Sequence, residues 1–256
     1  MSNPTIDLIS RHGSVRQYTP APVPPEMIET IVAAAQHSST SSNLQAYSVV
    51  AVRDGAKRAR LAELCGGQAH VAQAPVFLAW CADLQRLERA CELRNYEQVT
   101  EYVENFLVAA MDATIAAQTA TLAAESLGLG MCYIGSIRND TQAVIDLLSL
   151  PRLVFPVVGM TLGWPAHAAT ARPRLPLAAV LHHECYTTTG QDEALHAYDR
   201  AMVEIGIYQG RHVPVPGHPE LPEEDYGWIE HTARRVSQAW RSDLSDVLAR
   251  QGFALE

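Results

Sequence analysis

Two short arginine-bearing segments lie far apart in this chain. Residues 11–16 read Arg-His-Gly-Ser-Val-Arg, and residues 172–174 read Arg-Pro-Arg. The guanidinium group of arginine presents a planar set of donors that suits phosphate and carboxylate. If the fold brings the two segments together, they form a binding site for an anion, which predicts a phosphorylated small ligand. Taken singly, each segment is more typical of ordinary solvated surface.

Three clusters of hydroxyl, amide and glycine residues accompany the arginine segments, at residues 38–45, 66–70 and 133–139. Singly, the serine run is typical of a turn that ends a helix, and the glycine pair is typical of a helix stop. The sequence contains no Gly-x-Ser-x-Gly elbow, and none of its cysteines carries a local nucleophile signature. Binding segments without an acid, base and nucleophile predict an enzyme whose cofactor supplies the chemistry.

The run His182-His183-Glu184-Cys185 contains residue types that bind metals. We place it at the end of a predicted strand, where neighbouring side chains point to opposite faces and do not readily share one ion. The five cysteines show no pair at metal-ligand spacing. The sequence therefore predicts no metal site.

The composition is that of a globular protein. With 256 residues, 48% of them hydrophobic, the chain can bury a large core as one domain or as a domain with an extension. A formal net charge of -9 argues against nucleic acid as a partner, because the phosphate backbone attracts a basic surface. The odd number of cysteines is typical of reduced thiols, and we find no leader pattern and no uninterrupted apolar run of membrane-spanning length. We expect a cytoplasmic protein without a membrane segment.

Helices and strands alternate along the first two thirds of the chain and must position these clusters. Apolar, β-rich runs predict four strands, at residues 47–52, 75–82, 131–137 and 153–162. Pro24-Pro25 opens one predicted helix, Asp54 caps a second and Asn139 caps a third.

An alanine-rich stretch from Tyr96 to Leu127 predicts one long helix that is buried on nearly all sides. Such a helix is either a central core helix or a subunit interface, and its apolarity does not choose between them. The run Gly128-Leu129-Gly130 follows this helix and precedes a strand. That order is the reverse of a dinucleotide-binding fingerprint, so we reject a Rossmann fold.

The composition changes after Tyr186. We predict a helix over residues 194–205, a proline-rich loop over 213–222 and a final amphipathic helix over 223–251. This last part of the chain is typical of an arm laid on a finished core.

Taken in order, the sequence blocks resemble the oxygen-insensitive NADPH nitroreductases and the related flavin reductase P group. The blocks are His-x-Ser-x-Arg, Thr-Ser-Ser-x-Leu-Gln, Gly-Gly-Gln-x-His-Val-Ala-Gln, Glu-Ser-Leu-Gly-Leu-Gly-x-x-Tyr-Ile-Gly, Leu-Gly-Trp-Pro and Pro-Arg-Leu-Pro. The resemblance implies an α+β fold, with a central, mostly antiparallel sheet flanked by helices, in an intertwined homodimer. It also implies an FMN-binding core over residues 1–189 and a helical arm over 190–256 that wraps the partner subunit.

The resemblance assigns residues to FMN, with NADPH as the co-substrate. The phosphate is held by His12, Ser14, Arg172 and Arg174. Around the flavin ring lie Arg16, Gln68 and the strand end Tyr133, Ile134, Gly135 and Ser136, together with Thr40, Ser41 and Ser42 from the other subunit. Arg16 also has the catalytic role, because a positive charge near the pyrimidine edge stabilises the negative charge of a reduced flavin.

The implied activity is two-electron, ping-pong reduction of small aromatic acceptors such as nitroaromatics, quinones or free flavin. Two alternatives stay open: a dedicated NADPH:FMN reductase that supplies a monooxygenase, and a flavin-binding sensor without turnover. The chain departs from the family at Gly13, where arginine is usual, and at Arg172, where lysine is usual; Arg11 is a hypothetical replacement for the former. Arg211 and Arg241 match arginines that bind NADPH, although either is equally typical of exposed surface.

Overall fold

The computed structural model describes residues 2–255, which form ten α-helices and four β-strands. The strands are β1 (Tyr47–Val52), β2 (Val76–Asp83), β3 (Gly130–Ile134) and β4 (Val154–Gly163). The helices are α1 (Pro4–Ser10), α2 (Pro25–Ala35), α3 (Gly55–Leu64), α4 (Ala69–Gln73), α5 (Gln85–Glu92), α6 (Val103–Ser126), α7 (Thr141–Leu148), α8 (Gln191–Glu204), α9 (Trp228–Val236) and α10 (Leu244–Arg250). The predicted α+β class is confirmed.

The four strands form one antiparallel sheet in the order β1-β2-β4-β3. All eight residues of β2 are buried, which explains its unbroken apolar run. The register between β2 and β4 shifts by one residue between Trp80 and Cys81, and Cys81 then faces Pro156. A proline is tolerated inside this strand because the bulge relieves the regular hydrogen-bond ladder.

Helices cover both faces of the sheet. On one face, α2 and α6 pack their apolar side chains, such as Ile31 and Ala116, with Leu78 of β2. On the opposite face, Leu61 of α3 and Val144 of α7 share a second core cluster with strand residues. β2 and β4 are thus covered on both sides, and predicted site segments adjoin the ends of the strands.

The long helix α6 is buried along one face only. Its buried residues include Ala109, Ala113, Ala116 and Ala120, whereas Val103, Leu107, Met111 and Ile115 are 45–51% exposed. The prediction of burial on nearly all sides is therefore wrong for a single chain. By length and composition α6 is apolar enough to cross a membrane, but the core helix of a globular protein meets the same criterion.

Several local predictions are confirmed and others need correction. Asp54 caps α3, since its Oδ1 accepts a hydrogen bond from the Lys57 N–H. The cap of α7 is Asp140 and not Asn139. Residues 96–102 precede α6 and are not helical, and the strand predicted over 131–137 ends at Ile134 because Gly135–Arg138 forms a 3-10 turn.

The chain divides into two compact units. The first comprises Met1–Thr170 with Arg241–Glu256, and the second comprises Ala171–Trp240. These boundaries differ from the division into residues 1–189 and 190–256, which describes a core and its arm and stays a prediction.

The second unit contains α8 and α9. The helix predicted over 223–251 is wrong, because a 3-10 turn at Glu223–Asp225, α9 and α10 are separate elements. Buried Tyr226 organises the unit: its ring stacks on His212 with centroids 3.7 Å apart, and the Arg234 guanidinium lies 5.7 Å from its centroid. Aromatic stacking and a cation over a ring each add stability beyond apolar burial.

Candidate functional site

The backbone that carries Arg16 is fixed beside the sheet. The Val15 N–H donates to the Met131 carbonyl oxygen over 2.8 Å. The Tyr18 hydroxyl donates to the Val15 carbonyl oxygen over 2.8 Å and lies 2.7 Å from Thr161 Oγ1. Burial raises the pKa of Tyr18 well above its usual range, so the phenol keeps its proton and remains a donor. Exposed Arg16 therefore extends from a rigid segment.

Gly13 permits a close approach between two backbone segments. A Cβ atom at position 13 would lie 2.6 Å from the Thr170 carbonyl oxygen and 3.2 Å from the Cβ of Ala169. The first of these distances is shorter than van der Waals contact, and the backbone cannot move aside as a flexible side chain can. The departure from the arginine that is usual in the resembling family thus has a structural reason, because the backbone of residues 169–170 occupies the space of the side chain.

Substituting Gly13→Ala is expected to lower the free energy of unfolding by about 1–3 kcal/mol, since one added methyl group must displace packed backbone. Urea unfolding followed by circular dichroism measures this change. Gly55→Ala is the matched control, because a Cβ there meets only the flexible end of Arg58 at 3.9 Å. Equal stability of the Gly13→Ala variant and the wild type would contradict the proposed close approach.

The positive charge of Arg16 reaches His70 in α4. Burial lowers the pKa of His70 below its usual value, and the charge of Arg16 lowers it further. The His70 Nε2 atom is buried and has no hydrogen-bond partner among residues 2–255. A proton added to this imidazole would meet both a cation and a missing acceptor, so His70 is neutral at pH 7.

His70 is expected to make the free energy of unfolding depend on pH. Below its ordinary value of 6.5 the unfolded chain binds a proton that the folded protein resists, so stability is lost as the pH falls. We expect the free energy of unfolding to drop less between about pH 7.5 and about pH 5.5 in His70→Gln than in the wild type. Urea unfolding at the two pH values measures both drops. Equal drops in the two proteins would show that His70 does not contribute to the pH dependence of stability.

Gln68 and Ser136, both predicted from the sequence, are in contact. Gln68 Nε2 donates to Ser136 Oγ over 2.6 Å and to the Cys65 carbonyl oxygen over 3.0 Å. This bond joins the N-terminus of α4 to the 3-10 turn after β3, although the two residues are distant in sequence. Burial raises the pKa of the Cys65 thiol to about 11, so this sulfur is not an activated nucleophile.

Tyr133 and Ile134 end β3, and Gly135 begins the turn that contains Ser136. The Tyr133 hydroxyl donates to Gln118 Oε1 over 3.3 Å, and the Thr121 hydroxyl lies 3.1 Å from it. Tyr133 also borders an apolar cleft of about 610 Å³. Other residues along this cleft are Phe106, Arg138, Phe155, Val157 and Leu244. The cleft is large enough for a planar aromatic ligand.

The serine segment, which is the cluster at residues 38–45, is held by a buried carboxylate of α6. Asp112 is 2% exposed, and its two oxygens accept hydrogen bonds from the N–H groups of Ser41 and Ala46, each over 3.0 Å. Between these anchors Ser42 has a φ of 48°, in the left-handed region. Ser41 and Ser42 are exposed and Thr40 is partly exposed, so the segment presents its hydroxyl groups from a fixed turn.

Three predicted arginines lie in the second compact unit. The charge of Arg172 acts on Tyr208, opposing the rise in pKa that burial gives this phenol. Arg174 and Arg211 are exposed. The expected meeting of Arg172 and Arg174 with His12 and Ser14 at a phosphate stays a prediction.

Arg241 lies in the first compact unit and forms a small cluster of positive charge there. Its Nε and Nη2 atoms donate to Asn139 Oδ1 over 3.1 and 3.0 Å. Burial, with a further contribution from the Arg241 charge, lowers the pKa of Arg138. Two guanidinium groups that are close enough to repel one another suit an anionic ligand.

The run at residues 182–185 is not at a strand end. It follows the 3-10 turn Leu177–Ala179 in irregular backbone, and the His182 ring lies 4.3 Å from that of Tyr186. The predicted strand is therefore wrong. Among residues 2–255, no three His, Cys, Asp or Glu side chains are grouped to hold a metal.

Sequence reasoning gave no role to His70, although it lies in the cluster at residues 66–70, and it did not single out Asp112 or Glu125. Glu125 Oε1 lies 2.6 Å from His12 Nδ1, and the Glu125 side chain is 12% exposed. A signal existed for Asp112, because a single acid on the apolar face of an alanine-rich helix requires a partner. For Glu125 the signal was its place in the block Glu-Ser-Leu-Gly-Leu-Gly, although the partner itself is not visible in the sequence.

Comparison with known protein families gives matches along nearly the whole chain. Residues 9–164 match the Nitroreductase family, and residues 172–256 match the C-terminal domain described for that family.

Individual relatives are similar over their full length. An FMN reductase [NAD(P)H] of Bacillus subtilis is 38% identical over 99% of both chains. An oxygen-insensitive NADPH nitroreductase of Salmonella typhimurium is 37% identical over 98% of this chain and 99% of its own. Among solved structures, B. megaterium NfrA2 matches with a TM-score of 0.90 and 38% identity over 100% of both chains. An NADPH:FMN oxidoreductase of Vibrio harveyi, complexed with NAD+, matches with a TM-score of 0.85 and 33% identity over 99% of this chain and 100% of its own.

Proposed function

Because this chain belongs to the nitroreductase family, we propose that it is an FMN-dependent NADPH oxidoreductase that reduces nitroaromatics, quinones or flavins by two-electron transfer. The observation that carries the proposal is the hydrogen bond that joins two distant segments at α4, within reach of the charge of Arg16. Arg16 acts on His70, and Gln68, two residues earlier, donates to Ser136. All three segments are those that the family resemblance assigns to FMN.

The residues present fit a flavin. Arg16 supplies a fixed positive charge, and Gln68 and Ser136 supply hydrogen-bonding groups. Tyr133, which is also assigned to the ring, borders an apolar cleft of about 610 Å³ that Arg16, Gln68 and Ser136 do not line. This volume lies within the range of about 300–1,000 Å³ that is usual for small-molecule sites. FMN, when bound, accepts a hydride from NADPH and passes two electrons to the second substrate. No protein base is needed for the hydride steps, since protons come from water.

Each set of residues has a proposed task. His12, Ser14, Arg172 and Arg174 bind the phosphate, and Arg16 stabilises negative charge at the pyrimidine edge. Gln68 and the strand end Tyr133, Ile134, Gly135 and Ser136 orient the ring. Thr40, Ser41 and Ser42 contact it from the second subunit, and Asp112 keeps that segment in place through its two backbone bonds.

The proposal includes a homodimer in the cytoplasm. The exposed residues Val103, Leu107, Met111 and Ile115 are spaced four apart, so they form one apolar stripe on α6. Such a stripe is costly in water and is typical of a surface covered by another chain. A second copy of this chain would bury it and would bring two serine segments to the interface.

Purification tests the function directly. We expect a yellow protein with a flavin spectrum, bleached by NADPH and restored by nitrofurazone or a quinone. A colourless protein that does not bind added FMN would contradict the proposal. The alternative of a dedicated flavin reductase is favoured by the relatives that are FMN reductases. Turnover with free FMN far above turnover with a nitroaromatic would support it, whereas reduction by NADPH that is slow or absent would indicate a sensor.

The nicotinamide preference is assigned to Arg241 and Arg211. Substituting Arg241→Ala is expected to raise KM for NADPH about tenfold or more and to leave KM for NADH nearly unchanged, because only NADPH carries the extra phosphate. Steady-state rates with both nicotinamides measure this, and Arg241→Lys is the charge-retaining control. Equal effects on the two nicotinamides would contradict the assignment.

A further inference from the structure

We infer that Glu125 is a positioning residue for the flavin phosphate, acting through His12; this inference rests on the proposed function. His12 lies just after α1, and Glu125 lies in the last turn of α6, 113 residues away. Glu125 Oε1 and His12 Nδ1 are 2.6 Å apart, at the short limit of a charge-assisted N–H···O hydrogen bond, which is usually about 2.7–2.9 Å.

This bond decides how His12 meets other groups. An ionised carboxylate only accepts hydrogen bonds, so the shared proton belongs to His12 Nδ1. That leaves Nε2 as the nitrogen with which His12 can contact a ligand. A phosphate beside Nε2 needs a hydrogen-bond donor there, and the negative charge of Glu125 on the other side of the ring favours that donor.

The second carboxylate oxygen points to a role other than stability. Glu125 Oε2 is buried and has no hydrogen-bond partner among residues 2–255. A buried, half-satisfied carboxylate costs free energy, and a glutamine or an apolar side chain would avoid much of that cost. Glu125 also borders a cavity of about 210 Å³ together with Arg11 and Gly13. The charge is therefore kept beside the segment that the proposed function assigns to phosphate.

The test compares FMN with riboflavin, which has the same ring and no phosphate. Apoprotein of Glu125→Gln is titrated with each flavin, and binding is followed by flavin fluorescence. Glutamine retains the shape and an acceptor but not the charge. We expect the Kd for FMN to rise about tenfold or more, by analogy with the loss seen when the partner of a metal-binding histidine is changed, while the Kd for riboflavin stays within about twofold.

Three further variants sharpen the result. Glu63→Gln removes one negative charge from an exposed ion pair on α3, so it controls for the change in net charge. His12→Ala should lose the same preference for FMN. The double variant should lose no more than His12→Ala alone, since Glu125 acts through His12.

Several outcomes would overturn the inference. These are an unchanged FMN affinity in Glu125→Gln, an equal loss for FMN and riboflavin, and additive losses in the double variant. A wild-type protein that binds neither flavin would instead contradict the proposed function itself, and none of the preceding outcomes can be confused with that result.

Discussion

Substituting Arg16→Gln is expected to slow the reduction of bound flavin by NADPH about 100-fold, the usual cost of removing one electrostatic stabiliser from an active site. Hydride uptake adds negative charge to the flavin, and Arg16 is proposed to lie where that charge collects. At an effective dielectric constant of about 20, two charges about 4 Å apart interact by on the order of a few kcal/mol. The charge of Arg16 already affects the pKa of both His70 and Tyr18, so its field reaches the proposed site.

Stopped-flow absorbance measures the rate of flavin reduction, and a redox titration measures the midpoint potential. We expect the potential to fall by about 30 mV for each ~1.4 kcal/mol of stabilisation that is lost. Arg16→Lys is the control, because it keeps the charge without the planar fork and should retain most of the potential. A wild-type rate and potential in flavin-loaded Arg16→Gln would contradict the catalytic assignment.

Substituting Met111→Glu is expected to give a monomeric, colourless protein with a turnover at least about 100-fold below that of the wild type. Met111 is 51% exposed in the middle of the apolar stripe of α6. If two copies pair through this stripe, symmetry buries the new carboxylate twice, and each unpaired charge costs several kcal/mol. A 100-fold loss needs only about 2.7 kcal/mol, so one substitution is sufficient.

Light scattering after gel filtration gives the mass, and the flavin-to-protein absorbance ratio gives the occupancy. Ala59→Glu, on the exposed surface of α3, controls for the acidic change itself and should remain dimeric and yellow. Circular dichroism tests whether Met111→Glu remains folded. A wild-type monomer with full flavin content, or a dimeric and active Met111→Glu variant, would contradict the proposed interface.

The central sheet could be predicted because its strands carry strong local signals. The apolar run of β2 and the cap at Asp54 each depend on neighbouring residues, and both are confirmed. The errors fall where two local choices are nearly equal. Asn139 and Asp140 are both good caps, and only Asp140 accepts the bond from Ala143. The helix predicted over 223–251 fails near Arg241, whose φ of 55° interrupts an otherwise helical pattern.

The candidate site could be predicted only in part, because some of its contacts join residues that are remote in sequence. The resemblance assigns Gln68 and Ser136 to the flavin site, which stays a prediction, and the bond between them is present. It did not identify Glu125 or Asp112, because each meets a partner that is remote in sequence. Asp112 is 71 residues from Ser41, and no periodic pattern encodes a pairing of that kind. Contacts of this sort depend on how the helices pack and therefore require the fold.

The tight passage between Gly13 and Thr170 also restricts how the chain can diverge from its relatives. Any side chain at position 13 costs stability from its first atom, because its Cβ would lie 2.6 Å from the Thr170 carbonyl oxygen. Residue 13 and the backbone path of residues 169–170 are therefore expected to change together among related chains.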